Sequence, residues 1–387
     1  MYKIQTLNAI SPVIHDVLSA GQYVISAEEP TPDAILVRSA AMHDMELPDS
    51  LLAIARAGAG TNNIPIDKCS EKGIVVFNTP GANANAVAEL VIAGLLLSSR
   101  DIAGGIAWVK SAKDEPGLEK LVEKKKSQFV GPELRGKKLA VIGLGAIGAL
   151  VANAAAQGLG MEVVGYDPFI SVAHAWALSR AIHRADAMED AVKDADYITF
   201  HIPLTDSSRG MINAGFINSL KKGVRIMNFS RGELAVPEDV KATIASEQLS
   251  CYVTDFPCAA LADTPKVICL PHLGASTPES EDRCAEMAAN EIKDYLERGV
   301  IRNSVNLPEI VLGIPEGSRI LLIHRNVPGV VSSISGLISG RGINIQNMLN
   351  KSRGDMAVTV LELVQHPDDT LLAALGKLKD VVRARLI

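Results

Sequence analysis

Residues Lys137 to Asp167 read KKLAVIGLGAIGALVANAAAQGLGMEVVGYD: an apolar run, a turn of three glycines, an apolar stretch of helical character and a second apolar run that ends in an acid. Few folds satisfy that order. Gly143 permits a tight bend, Gly145 lets a phosphate approach the main chain, and Gly148 lets a helix pack closely on a strand. The helix start then offers free N–H groups to an anion. Asp167 lies about twenty residues beyond the turn, where a carboxylate accepts hydrogen bonds from a ribose and repels a 2′-phosphate. The segment predicts a strand–turn–helix–strand unit that binds an adenine dinucleotide, NAD rather than NADP.

A chain of 387 residues exceeds one ordinary core, so two or three units are expected. No apolar run reaches the roughly twenty residues of a membrane span, and MYKIQTLNAISP lacks the basic start and apolar core of a signal peptide. The expectation is a cytoplasmic protein with no membrane partner. The five cysteines are odd in number and form no C-x-x-C pair, which suggests neither a disulfide framework nor a zinc site, and no metal is expected. The net charge of −6 argues against a nucleic-acid partner, although a small anionic substrate needs only a local cluster of cations. The basic run Lys124, Lys125 and Lys126 reads as a solvated helix end.

Short apolar strands alternate with helical stretches through the first hundred residues: AILVR, LLAIARAG, GIVVFNTP and then the long apolar helix NAVAELVIAGLLLSSRD. That is parallel α/β patterning. After the glycine unit, strands continue as YITFHIPL, VRIMNFS, SCYVTDF and VICLPH. Ligands of open α/β sheets sit outside the carboxyl ends of the strands, which places Pro203, Ser230, Arg231, Asp255 and His272 by position along one crevice. A helix follows, with Thr277 as N-cap, Pro278 first in the helix and Gly299 just past its end. Beyond a proline-bearing linker the order from Ser318 is βαββαβ, a ferredoxin-like module of about seventy residues. The fold class is therefore α/β: two Rossmann-like, doubly wound parallel-sheet domains and a C-terminal ferredoxin-like domain. The expected boundaries are 1–98 with 276–305 for a discontinuous substrate domain, 99–275 for the dinucleotide domain, 306–317 for the linker and 318–387 for the last module.

Moving a hydride from a secondary alcohol requires a base for the hydroxyl proton and a cation for the neighbouring carboxylate. His272 follows a strand directly, and histidine titrates near neutrality, so it is the expected base. Arg231, in NFSRGEL, offers a planar fork that grips a carboxylate with two parallel hydrogen bonds. Arg38 and Arg56 end strands of the first domain and are candidates for a substrate phosphate or carboxylate, with surface ion pairing as the alternative use of Arg56.

In these stretches the chain resembles the D-2-hydroxyacid dehydrogenases, and among them the short bacterial branch that oxidises D-3-phosphoglycerate. The matching elements are VRSA at Arg38, RAGAGTNNI, GLGAIG, HIPLT, NFSRGE, VTDFP and PHLGAST, followed by the C-terminal module, over nearly the whole length. The resemblance implies oxidation of D-3-phosphoglycerate by NAD to 3-phosphooxypyruvate, the first committed step of L-serine synthesis. It makes His272 the acid/base residue and Arg231 the carboxylate-binding residue, with Ser39 and Gly58 beside Arg38 and Arg56 as substrate contacts. It assigns Ala146, Ile147 and Asp167 to the cofactor's phosphates and ribose and Asp255 to the nicotinamide amide. Ala59, Ile202, Pro203, Phe229, Ser230, Leu273, Gly274, Ala275 and Ser276 fall on neighbouring cofactor positions. One departure stands out: where the family has a glutamate that orients and charges the histidine, this chain has Ala259, with Asp263 nearby in sequence as the candidate replacement. Losing that carboxylate removes a stabiliser of the imidazolium.

The last module resembles an ACT domain, a small-molecule sensor. The resemblance assigns His324, Asn326 and Asn344 to an L-serine site between two such modules, and it implies a homodimer or homotetramer. Two other functions fit the same pattern. One is reduction of another 2-oxo acid such as hydroxypyruvate, glyoxylate or 2-oxoglutarate, and the other is a non-catalytic NAD(H)-sensing binding protein.

Overall fold

The computed structural model describes residues 1–315 and 317–387. Glu316, inside the expected linker, lies outside the described residues. The chain divides into two compact units, Ala84–Thr277 and the combination of Met1–Asn83 with Pro278–Ile387.

Ala84–Thr277 is built on seven parallel strands in the order Val267–Cys269, Leu249–Thr254, Val224–Asn228, Tyr197–Phe200, Lys138–Ile142, Glu162–Tyr166 and Ile182–Arg184. The first strand in sequence, Lys138–Ile142, has the second on one side and the fourth on the other. The winding direction therefore reverses there, and such a reversal opens a crevice at the carboxyl ends of the strands. Alternate residues of the strand serve opposite faces. Leu139 and Val141 join Val87, Val91 and Leu95 of helix Ala84–Ser99 in one core, whereas Ala140 and Ile142 join Ile217, Val240 and Ile244 in the other. Among the described residues no single helix is long and apolar enough to cross a membrane. Ala84–Ser99 and Ile102–Ser111 reach that composition only as a pair bent by 68°.

The other unit holds a five-stranded parallel sheet in the order Tyr23–Ser26, Tyr2–Leu7, Ala34–Val37, Ala53–Arg56 and Val75–Asn78. Two of these strands, Tyr2–Leu7 and Tyr23–Ser26, precede the three that the apolar pattern marks. Only Ile4 is buried in Tyr2–Leu7, so that stretch carries no alternation for a periodicity argument to find. Helix Pro278–Arg298 begins at its proline, ends before Gly299 with φ +69°, and lays Ala285, Ala288, Ala289 and Ile292 on the sheet.

The C-terminal module has the expected βαββαβ order, as an antiparallel sheet with strands Ile345–Arg353, Met356–Leu363, Ser318–Arg325 and Val381–Leu386 side by side. Helices Val330–Gly340 and Asp369–Gly376 cover one face through Ile334, Ile338, Leu371 and Leu375. The opposite face is not solvated: Leu321, Ile323, Val358 and Val360 belong to the same core as Ile292 and Tyr295 of helix Pro278–Arg298. Arg319 fastens the junction. Buried to 1% exposure, it donates to the carbonyls of Arg298 at 2.6 Å and Gly313 at 2.8 Å and pairs with Glu362 at 2.5 Å. Glu362 in turn accepts from Asn347 at 2.7 Å.

Candidate active site

The glycine turn has little freedom to accept other residues. Gly143 has φ +91°, and a Cβ there would lie 2.5 Å from the His201 carbonyl oxygen; at Gly148 it would lie 1.9 Å from the Gly143 carbonyl oxygen. Gly145 faces open space, with nothing within 4 Å of a built Cβ, as a main chain approached by a bulky anion must be. Ala146 and Ile147 open helix Ala146–Asn153, whose first amides have no partner within the helix and no side-chain cap at Gly145. Asp167 stands at the end of its strand and accepts hydrogen bonds from the amides of Leu144 and Phe169, both at 2.8 Å, which ties the acid to the turn. His201 lies beneath the turn, its ring 3.4 Å from a Cβ built at Gly148 and its Nε2 sharing a 3.0 Å hydrogen bond with Thr199 Oγ1. Burial lowers its pKa to about 3, so the ring is neutral. Ile202 follows beside Gly143, and the Pro203 carbonyl is held by Ser208 Oγ at 2.9 Å.

At other strand ends of the sheet, three ionisable groups come together. Arg231 is exposed, with Nη1 donating to the Ser230 carbonyl at 2.7 Å. His272 is also exposed, its ring 4.8 Å from that of Phe256. Between them Asp255 is buried to 2% exposure, and its Oδ1 has no hydrogen-bond partner. Burial raises its pKa above the usual carboxylate range, while the charges of His272 and Arg231 and hydrogen bonds from its own and Gly274's backbone act the other way. A buried, unpartnered carboxylate oxygen is unusual in a native protein and marks a place where an outside donor fits. An amide such as that of nicotinamide has the right chemistry for it. Leu273, Gly274, Ala275 and Ser276 form the turn after His272, closed by the Ser276 amide on the Leu273 carbonyl at 2.9 Å. Phe229 is buried in the core, and Ser230 is fixed by its Oγ on the Phe200 carbonyl at 2.5 Å.

Ala259 begins the short helix Ala259–Ala262, and Asp263 caps its far end, exposed and without a hydrogen bond to His272. The carboxylate whose titration His272 influences is Asp255.

The other unit carries the remaining cations. Arg38 directly follows strand Ala34–Val37, and Arg56 ends Ala53–Arg56 with its Nε on the Arg38 carbonyl at 3.0 Å. The Ser39 amide donates to Asn8 Oδ1 at 3.1 Å, and Gly58 is held by main-chain bonds to Arg56 and Thr79. The Ala59 carbonyl accepts from Asn78 at 2.6 Å. The structure thus brings Arg38, Ser39, Arg56 and Gly58 together at one edge, with Glu281 2.5 Å from Arg38.

The sensor residues are not brought together. His324 is 2% exposed, with Nδ1 on the Arg325 carbonyl and Nε2 on Thr359 Oγ1, both at 2.8 Å. Asn326 is exposed and donates to the Gly354 carbonyl at 3.1 Å. Register puts His324 opposite Ala357, while Ile345, next to Asn344, lies opposite Leu363 together with Ser318. Asn344 is therefore about 20 Å from His324 along the strands, at roughly 3.3 Å per residue.

Three residues of these sites were not singled out from the sequence. Asn228, fully buried, donates to the Arg231 carbonyl at 2.9 Å and to Tyr252 Oη at 3.1 Å, setting the turn that carries Arg231. His201 and Glu281 are the others. Asn228 opens NFSRG and His201 opens HIPLT, so both were visible as polar residues ending apolar strands; nothing in the sequence around Glu281 points to Arg38.

Residues 92–274 match the family model described as D-isomer specific 2-hydroxyacid dehydrogenase, NAD binding domain, and residues 320–383 match the AHAS small subunit-like ACT domain. D-3-phosphoglycerate dehydrogenase of Escherichia coli (strain K12) is 30% identical over 353 residues, covering 88% of this chain and 82% of the relative. The enzyme of the same name from Synechocystis sp. is 32% identical over 366 residues, 92% of this chain and 62% of the relative. Among solved structures, NAD+-bound 3-phosphoglycerate dehydrogenase of Entamoeba histolytica superposes with a TM-score of 0.58 at 26% identity, over 79% of this chain and 98% of that one. D-mandelate dehydrogenase of Rhodotorula graminis shares the fold at 21% identity and a TM-score of 0.67, over 81% of this chain and 99% of that one. With its glycine turn, its Arg231–Asp255–His272 cluster and its ACT module, the chain belongs to the D-isomer specific 2-hydroxyacid dehydrogenase family and is an NAD-dependent oxidoreductase.

Proposed function

We propose that this enzyme oxidises D-3-phosphoglycerate to 3-phosphooxypyruvate, the first step of L-serine biosynthesis, as a cytoplasmic homodimer or homotetramer. The observation that carries the reading is that Arg231, Asp255 and His272, at the carboxyl ends of strands in the same sheet that bears the glycine turn, interact electrostatically. NAD, when bound, would supply the acceptor for the hydride that leaves the substrate's C2. Gly143, Gly145, Gly148, Ala146 and Ile147 would hold its phosphates, Asp167 its ribose, and Asp255 Oδ1 its carboxamide. Arg231 grips the substrate carboxylate in a two-pronged hydrogen bond, which aligns C2 and leaves the hydroxyl free. His272 accepts the hydroxyl proton on an imidazole nitrogen as the carbonyl forms. The nearby Asp255 carboxylate favours the resulting imidazolium, a part that Ala259 cannot play. Arg38 and Arg56 supply positive charge for the distal phosphate, and the names of the relatives at 30–35% identity agree with a phosphorylated substrate.

An L-serine site on the ACT module is part of the same reading. Because Asn344 and the His324–Asn326 end are far apart in one module, a single ligand would take Asn326 from one copy and Asn344 from another. His324 would join only after its bonds to Thr359 and Arg325 open. Helices Ile102–Ser111 and Leu118–Lys125, which bury none of their residues in the monomer, support a further contact between copies.

The test is NADH formation from NAD and D-3-phosphoglycerate at mildly alkaline pH, which favours removal of the hydroxyl proton. Turnover is expected at a kcat/KM well above that for D-lactate or D-glycerate. A folded, NADH-binding sample that turned over another 2-hydroxy acid instead would replace the substrate.

A further inference from the structure

The guanidinium of Arg38 already has an anion. Its Nη2 lies 2.5 Å from Oε1 of Glu281, a residue 243 positions later in the chain. The helix that brings Glu281 there is fastened along its length within the same unit. Asp282 accepts from Ser11 at 2.5 Å, Arg283 donates to the Ala82 carbonyl at 3.1 Å, and Tyr2 donates to the Leu296 carbonyl at 2.9 Å. Glu281 sits in the first turn of that helix, near the positive end of the helix dipole. The pair is not sealed: the side chains of Arg38 and Glu281 are 36% and 40% exposed, so a dissolved anion can reach it.

We propose that Glu281 is an internal competitor for the Arg38 anion subsite, a tethered carboxylate that the distal phosphate of the substrate must displace, and that it sets the affinity for that phosphate. The inference rests on the phosphoglycerate reading above. A tethered group acts at high effective concentration, so a ligand bearing one more carboxylate gains little by exchanging with it. A phosphate monoester, with close to two negative charges and three strong acceptor oxygens, gains more. A 2-hydroxy acid with no distal anion leaves the pair in place. On displacement Glu281 turns toward the solvent that it already touches. Glu281 is thus a specificity-determining residue that lowers affinity for the phosphate relative to an unopposed arginine.

The experiment compares steady-state kinetics for D-3-phosphoglycerate and D-glycerate in the full-length enzyme and three variants. Glu281→Gln keeps the size of the side chain and removes its charge. It should lower KM for D-3-phosphoglycerate by about 1.5- to 5-fold, the factor that corresponds to a solvent-exposed ion pair, while KM for D-glycerate moves much less. Glu281→Ala, which leaves Arg38 with no intramolecular acceptor at that position, should lower it at least as far. A rise in KM for D-3-phosphoglycerate would make Glu281 a support for Arg38 and overturn the proposal, as would no change or an equal shift for both substrates. Arg38→Gln separates this failure from that of the functional reading. It should raise KM for D-3-phosphoglycerate by about tenfold or more. If it does and the Glu281 variants do not lower KM, only the competitor is lost; if it does not, Arg38 is not the phosphate's partner and the subsite falls with it.

Discussion

Asp255 and Glu281 are both carboxylates beside an arginine, in sites of opposite character. Asp255 is buried to 2% exposure in the seven-stranded unit, with one oxygen that nothing in the protein satisfies. Glu281, in the five-stranded unit, is half-exposed and already bonded to Arg38. The first site is preformed and incomplete, so a ligand adds a missing hydrogen bond without breaking one. The second is complete in itself, so a ligand must exchange with a resident partner. An unsatisfied buried group favours binding because its desolvation has already occurred in the folded protein, whereas an exposed ion pair yields only the small difference between two similar interactions.

The strongest test of the preformed site is His272→Asn. Loss of the proton acceptor should lower kcat by about 10²- to 10⁴-fold while NADH still binds, as read by stopped-flow kinetics and nicotinamide fluorescence. A loss of only a few-fold would move the base elsewhere and leave the Arg231–Asp255–His272 cluster as a binding device. Next in size is Gly148→Ala. The added methyl meets the Gly143 carbonyl oxygen at 1.9 Å, so the turn must shift; NADH affinity should fall by more than tenfold and the melting temperature by several degrees. Wild-type affinity in a fully folded variant would show that the turn is softer than its geometry indicates.

The smallest effect concerns the helix that carries Glu281. Glu291, ten residues further on, is buried, and burial raises its pKa from 4.5 to about 8 despite a 2.8 Å hydrogen bond from Asn303. The folded state therefore holds a proton that the unfolded chain releases. That contribution to stability is fully present below about 4.5 and is lost as pH rises through about 8. Glu291→Gln, which is neutral at every pH, should melt higher than the wild type at pH 8.5 and close to it at pH 5. Parallel melting curves across that range would mean that Glu291 ionises without penalty.

Much of the dinucleotide site was legible in the sequence because it is made of main chain. Gly143, Gly145 and Gly148 are neighbours, and their spacing states the turn directly. His272, Arg231 and Asp255 were also legible, because each ends an apolar strand and strand ends converge in a doubly wound sheet. Asn228 and His201 passed unnoticed for the opposite reason: they support other residues, and a supporting role shows only in its hydrogen bonds. The sensor residues differ again. His324, Asn326 and Asn344 were legible as polar residues at turns, but the strand register that sets Asn344 about 20 Å from His324 belongs to the sheet and not to the motif.

By itself the sequence determined the strands and helices that its apolar pattern marks, though not the first two strands, together with the glycine turn and its acid, the βαββαβ order of the last module and the charged residues at the strand ends. These follow from short-range constraints: backbone sterics at glycine, the two-residue period of strands and the link between parallel strands and crossover helices. Tertiary structure alone decided that Glu281 meets Arg38 across 243 positions, that the outer face of the ACT sheet shares a core with helix Pro278–Arg298, and that one oxygen of Asp255 is left without a partner. Each of these depends on which distant surfaces come into contact, and hydrophobic burial, being non-directional, drives that contact without encoding its partners in any local stretch.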